Sequence, residues 1–435
     1  MRTRFPHGGL RIVFSLFLCV FAAAGAAAPD RGAGQAASDG DPATPAWTRF
    51  LYEGDLPGAR ETLRDRLEAR PGDDQARVGL AVTQLLGALE RAAQGSYRYG
   101  LRPDSEVARF LPMGRMGTLA NPDPETVAYT DIQAGLKAWV DDLARVEATL
   151  AKVEDETVKL PLYPGRIRLD FNGDGQATEA ESLWRAYAAG APFGLPGSRS
   201  PRLGEQAQDF RVVFDMADVH WLRGYTHLLM GTSDILLAHD WEPLFDRAGH
   251  LLFARPETDY PFLLEDGYAR GMPWRFVDAI AFIHLINFEV TAPERMRRAH
   301  DHFQAAIRQS RESWDAIMAE TDDDREWIPA PSQTGVVPGI AVTPEMIREW
   351  RRFLTEADAL LSGEKLAPFW RGSTARGINV RRLFTEPHRF DLVLWLQGTG
   401  VAPYLETGDV TDPATWRQFQ RTFRGRFLSF ALWFN

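Results

Sequence analysis

Twelve consecutive residues carry the densest chemistry in the chain. Asp170, Asn172, Asp174, Gln176, Thr178 and Glu181 stand at positions 1, 3, 5, 7, 9 and 12 of one segment, each with an oxygen to offer, Gln176 through its backbone carbonyl. A hard divalent cation needs six to eight oxygens at about 2.3–2.6 Å, so alternate residues of a reversing chain must converge on one point. Gly175, at position 6, is the residue such a reversal requires. The chemistry this spacing predicts is oxygen coordination of Ca2+.

A second polar set is spread over two apolar segments. His220, His227 and Asp234 recur every seven residues, Arg223 lies between the two histidines, and His284 falls in the next apolar segment. These groups could form a second metal site or an acid/base centre. They could equally be the polar stripe of a buried helix, satisfied by hydrogen bonds from Asp278, His284 or Asn287. Seven residues span about 10.5 Å of straight helix, too far for His220 and His227 to hold one ion, so the hydrogen-bonded network is the expectation.

The segment 170–181 resembles an EF-hand loop and is complete at every ligand position, which implies a bound calcium ion. It departs from that pattern in what precedes it. Leu160-Pro161-Leu162-Tyr163-Pro164-Gly165 cannot form an entering helix, because two prolines and a glycine interrupt it. Only the exiting helix looks normal, with Leu183, Trp184 and Tyr187 as its buried face. Position 8, usually a larger residue facing a partner loop, is Ala177, and no second loop occurs. A calcium sensor opens by pivoting two helices about the ion, so an ion here is expected to be structural.

The elements that must position these groups follow from the rest of the sequence. Residues 1–28 combine Arg2, Arg4 and Arg11 with an apolar run and an Ala26-Ala27-Ala28 end, the pattern of a signal peptide. Residues 29–44 are small and polar, a flexible linker. Cys19 lies within the leader, so the mature chain lacks cysteine, which excludes disulfides and thiolate chemistry and suits a periplasmic or, second, an extracellular location. Of 49 Lys plus Arg and 59 Asp plus Glu, removing the three leader arginines leaves 46 against 59, a net charge near −13. That acidity argues against nucleic acid as a partner. No later segment is apolar enough to be a transmembrane segment.

From Pro45 the pattern turns helical. The order Tyr52, Gly54-Asp55, Ala59, Leu63, Leu67, Pro71, then Ala76 to Leu80, resembles a tetratricopeptide-type (TPR-like) helical hairpin, although one unit alone predicts a plain hairpin. A further helix is predicted over about 127–155 from the stripe Ile132, Leu136, Trp139, Leu143, Val146 and Leu150, closing an N-terminal region at 45–155. The remainder, 156–435, is predicted to be one helical domain carrying the calcium loop at its edge. Its predicted helices run over about 210–239, 274–290 and 293–320, the last with His300 and His302 on a solvated face. Thr343-Pro344 and Asp412-Pro413 each supply a cap and a first-turn proline, and Gly363 and Gly398 are stops. The aromatic stripe Phe419, Phe423, Phe427 and Phe430 is expected in the core. The fold class predicted is all-α, a multi-helix array.

Function is less legible. H-E-x-x-H, the Walker loop, G-x-G-x-x-G and G-x-S-x-G are all missing, so the common readable catalytic signatures give no enzyme class. The first expectation is a calcium-binding exported protein of binding or scaffold type, its partner an unidentified protein or cell-envelope ligand. A hydrolase with a fold-assembled carboxylate or histidine site comes second. A calcium-responsive regulator comes third.

Overall fold

The computed structural model describes residues 43–102, 120–190, 210–265, 274–323, 326–335, 342–371 and 376–423. The predicted leader, most of the linker, the loop after Gly190 and the aromatic positions Phe427 and Phe430 lie outside them. The fold is an all-α multi-helix array, its strands only two to four residues long.

Helix α1 (Arg49–Glu53) ends at Gly54, whose φ of 81° is left-handed. Asp55 then caps α2 (Leu56–Ala69) by accepting the Gly58 N–H, and Asp73 caps α3 (Asp74–Arg98) by accepting that of Ala76. The hairpin expected here is present, and Gly79 shows why a small residue is needed. A Cβ at that position would stand 2.5 Å from the Trp47 ring. Helix α4 (Tyr129–Leu150) buries Trp139, Leu143, Val146 and Leu150, the face the spacing predicted.

Strand β1 (Leu160–Leu162) occupies the place of an entering helix and pairs antiparallel with β2 (Val212–Phe214). The loop 170–181 follows β1 and leads into α5 (Leu183–Gly190). The apolar run 210–239, predicted as one helix, is divided in three. Val212 to Phe214, with β-branched residues at its start, make β2, Asp215 caps α6 (Met216–Ala238) through the Ala217 and Asp218 N–H groups, and His239-Asp240 form β3.

The run 274–290 divides likewise. Helix α7 (Trp274–Leu285) stops, and Asn287–Val290 become β4, paired with β3. Helix α8 (Pro293–Ala319) matches its predicted span, and α9 (Pro344–Ser362) begins at the Thr343 cap and stops at Gly363. A third small sheet joins β5 (Ala367–Pro368), β6 (Arg376–Ile378) and β8 (Leu405–Thr407). Strand β7 (Phe390–Asp391) adds to β4 and runs into α10 (Leu392–Gln397), which ends at left-handed Gly398. After β8 (Leu405–Thr407), Asp412 caps α11 (Pro413–Thr422).

One apolar cluster runs from Trp47 to Phe423 and takes side chains from both sides of the boundary expected at residue 156. At its centre α6 lies against α8 and α4. Met296, Ala299, Phe303, Ala306, Ser310, Ser313 and Ile317 recur three or four apart along α8, and four of these seven inner residues are Ala or Ser. Gly231 completes the close approach, because a Cβ there would meet Phe303, the Ala299 carbonyl and His302 at 3.1–3.2 Å. The solvated face expected for His300 and His302 is therefore not present. His300 is buried, bonded to the Leu361 carbonyl at 2.8 Å, and His302 is partly covered by α6. Packing on two sides of α8 accounts for this, α9 burying His300 and α6 covering part of His302. Among the described residues no helix is long and apolar enough to cross a membrane.

Candidate functional sites

The loop closes on its own amides. Asp170 Oδ1 accepts the N–H groups of Gly173 (2.7 Å) and Asp174 (3.2 Å), and Oδ2 accepts that of Gly175 (2.9 Å). Asn172 Oδ1 accepts from Asp174 and Asp174 Oδ1 from Gln176, both at 2.8 Å. Gly173 and Gly175 hold φ of 76° and 84°, the left-handed turns that glycine adopts without a Cβ penalty. Glu181, 2% exposed, joins the two ends, with Oε1 accepting from Phe171 N (3.0 Å) and Oε2 from the N–H and hydroxyl of Thr178.

The loop is also bonded to the hairpin. Arg168 N–H donates to Leu51 O at 3.0 Å, Asp170 N–H to Glu90 Oε1 at 2.8 Å, and Gln94 Nε2 to Asp170 O at 2.8 Å. Position 8 has found a partner inside the same chain. A Cβ on Gly54 would sit 2.2 Å from that of Ala177, so the α1–α2 turn needs glycine because Ala177 rests on it. Burial first, then the Asp170 carboxylate, push the Glu90 carboxyl above its ordinary value, against the Asp170 N–H that lowers it. Glu90 is a neighbour that spacing within the loop could not reveal.

The predicted histidine set separates. His284 lies exposed on α7, and Asp278 faces His250 at 4.0 Å, so neither joins the stripe. Asn287 sits in β4 as an acceptor for Arg389. His220 turns to α8, where its Nδ1 lies 3.0 Å from Gln309 Oε1 and 3.1 Å from Glu312 Oε2.

His227 and Asp234 are brought together, through a residue that had been placed in solvent. The Nδ1 atoms of His227 and His302 lie 3.0 Å apart. His227 Nε2 faces Glu147 Oε1 at 3.5 Å, and His302 Nε2 faces Asp234 Oδ2 at 3.9 Å. Each carboxylate is held from behind. Arg223 donates to Glu147 through Nη2 at 2.9 Å and Nε at 3.1 Å, while Arg295 Nη1 reaches Asp234 Oδ1 at 2.6 Å and Arg298 Nη2 reaches it at 3.3 Å.

The result is a row across α4, α6 and α8 in which cations and carboxylates alternate around an imidazole pair. Burial would raise Glu147, but hydrogen bonds from His227 and Arg223 hold its carboxyl below the usual range. Burial, then the neighbouring His227, push His302 down. The spacing Arg295, Arg298, His302 is one helix face opposite Asp234, a signal that charge alone disguised as a solvated surface. Glu147 follows Val146 of the apolar stripe and was legible only as its edge.

A third group was not foreseen. Oxygens of Asp215, Glu320 and Glu326 all lie within 4.8 Å of one another where α6 begins and α8 ends, and Asp218 is buried nearby. Burial, then Asp215, push Glu320 up to about 9, and burial with the Asp215 charge raises Asp218 well above the ordinary carboxylate value. Glu320 therefore keeps its proton at neutral pH, because the charges of the cluster cannot all be carried at once.

Compared with known proteins, the chain matches no family, no curated protein and no solved structure.

Proposed function

We propose that the protein is an exported, periplasmic helical protein of binding or scaffold type, in which calcium at Asp170, Asn172, Asp174, Gln176, Thr178 and Glu181 fastens the N-terminal hairpin to the rest of the array. The observation that carries this reading is the seating of the loop on the hairpin, with Arg168 N–H on Leu51 O, Gln94 on Asp170 O, and Ala177 against Gly54. An ion that gathers the loop oxygens stiffens that junction directly. A switching role has less support, because β1 stands where a pivoting helix would be needed. A hydrolase built on His220, His227 and His284 has less support too, since those three do not converge.

Calorimetric titration of the mature protein with calcium tests the proposal, with Asp170→Ala and Glu181→Gln beside it. One equivalent is expected, at a dissociation constant of about 0.1–1 mM for an isolated extracellular loop. Asp170→Ala should abolish the heat. Equal heats from all three proteins would retire the loop as the site.

A further inference from the structure

The imidazole pair lies outside the calcium junction, and its geometry lets it carry one positive charge but not two. The Nδ1 atoms of His227 and His302 are 3.0 Å apart and the ring centroids 5.3 Å apart, so the two nitrogens point at each other along one line. That is the arrangement of a single N–H···N hydrogen bond, in which one Nδ1 donates and the other accepts. His227 Nε2 lies 3.5 Å from Glu147 Oε1 and keeps its proton toward that carboxylate. His227 Nδ1 is then the acceptor and His302 Nδ1 the donor. The remaining nitrogen, His302 Nε2, lies 3.9 Å from Asp234 Oδ2 and carries no proton in the neutral pair.

The two protons that acid adds therefore act differently. The first goes to His302 Nε2, on the Asp234 side, and leaves the bond standing, with an imidazolium donating to an imidazole. The second has only His227 Nδ1 to go to, the atom that accepts the bond. Two N–H groups on two cations would then face each other at the same point, and the contact must break. We infer that the His227–His302 pair is an acid-sensitive latch between α6 and α8, closed while it carries at most one positive charge and opened when it must carry two. The packing leaves little slack for any other outcome. A Cβ at Gly231 would stand 3.2 Å from the His302 Cβ, so the rings separate only if His302 swings toward solvent or α8 shifts from α6. Either motion removes the bond that joins the helices here.

The charges around the pair come from three helices. Helix α4 gives Glu147, α6 gives Arg223 and Asp234, and α8 gives Arg295, Arg298 and exposed Asp301. Helix α9 meets α8 elsewhere, at His300 and Ser310. Three guanidiniums against three carboxylates leave no excess negative charge to support a second imidazolium. Burial first, then His227, already hold His302 below its ordinary 6.5. A base held down by the fold stabilises it above that pH, and the contribution is lost as pH falls below 6.5. Glu320 acts with the opposite sign, because acid favours its protonated form in the fold, so the latch has to be read locally.

The test combines amide hydrogen exchange of the mature protein from about pH 7.5 to 5, corrected for the intrinsic rate, with nitrogen NMR of its imidazoles. One proton is taken up on opening, so protection around Gly231 and His302 should fall by up to about tenfold per pH unit below 6.5, while α3 keeps its protection. At the upper pH the spectra should show one ring of the pair as the Nδ1–H tautomer and the other as the Nε2–H tautomer, and the two should protonate in separate steps. His302→Asn is the decisive variant. Its amide can donate to His227 Nδ1 or accept from it, so a proton on His227 no longer breaks the contact, and the pH dependence should disappear. His284→Gln, on the exposed side of α7, should leave it as in the wild-type protein. Circular dichroism establishes that each variant is folded. A folded His302→Asn that keeps the wild-type pH dependence would overturn the latch. If that variant does not fold, the wild-type protein decides alone: both rings protonating together near 6.5, or unchanged protection of α6 and α8 at the lower pH, would overturn it.

Discussion

The oxygen-rich loop 170–181 and the histidine row place their polar groups by opposite means. In the loop, six oxygen-bearing residues fall within twelve positions, and left-handed glycines and side-chain-to-amide bonds set its turns. In the row, His227 and His302 are 75 residues apart and Glu147 belongs to a third helix, so only the packing of α4, α6 and α8 brings them together. The first set tolerates change elsewhere in the fold, provided the short segment keeps its turns. The second depends on Gly231, whose missing side chain lets α8 approach α6 beside His302. Local geometry is the cheaper way to gather donors, and non-local packing is the way to gather donors of mixed type with anchored carboxylates behind them.

That contrast can be broken or sharpened by substitution. The largest effect is expected at Asp234, 1% exposed, where removing the carboxylate leaves Arg295 and Arg298 facing His302 without their partner. Asp234→Ala should lower stability in urea by about 3–5 kcal/mol, the cost of stranding one half of a buried pair. A loss below about 1 kcal/mol would mean that the row does not hold α6 and α8 together. Next comes the junction between hairpin and loop. Gly54→Val meets both a positive φ and the Ala177 Cβ, and should cost about 2–3 kcal/mol and weaken calcium binding. Gly72→Val, with nothing within 4 Å, is the control and should do neither.

Calcium itself gives a smaller effect. At ten times its dissociation constant it should stabilise the protein by about 1.4 kcal/mol, measured as a shift in the urea midpoint, and Asp170→Ala should lose that gain. A mutant of the row, such as His302→Ala, should keep it.

The smallest effect belongs to Glu320, the carboxyl group at the end of α8. Glu320 is raised from its ordinary 4.5 to about 9, so the folded chain holds a proton that the unfolded chain releases. Its contribution to stability is complete below pH 4.5 and is lost as pH rises toward 9. Glu320→Gln should flatten the fall in melting temperature over that range. The effect is modest because the group is partly open to solvent. An unchanged profile in the variant would show that the proton is held elsewhere in the cluster.

How much of this was legible follows from the same division. Helices 56–69, 293–319 and 344–362 could be read because each has its own start signal and an apolar stripe three or four residues apart. The oxygen-bearing residues of the loop 170–181 could be picked out because their spacing is local, and the calcium they are proposed to hold rests on that spacing. The runs 210–239 and 274–290 were misread as single helices. A uniformly apolar sequence has no period to distinguish helix from strand, and the decision lay with strand partners far along the chain, β1 for Val212–Phe214 and β3 for Asn287–Val290. Half of the histidine row was visible, since His227 and Asp234 share a face of α6. Its other half was hidden by Arg295, Arg297 and Arg298, which made α8 look solvated although Arg295 is turned inward onto Asp234. Glu90, Glu320 and Glu326 carried no signal, because each becomes significant only through a neighbour that the fold supplies.

Amide hydrogen exchange of the mature protein, with and without millimolar calcium, tests the clamp most directly. A clamp predicts slower exchange at Arg168, Asp170 and the loop amides Gly173 to Gln176, with a smaller gain around Leu51 to Asp55 and no change along α6 and α8. Protection confined to the Asp215, Glu320 and Glu326 region, or absent from the loop, would contradict it.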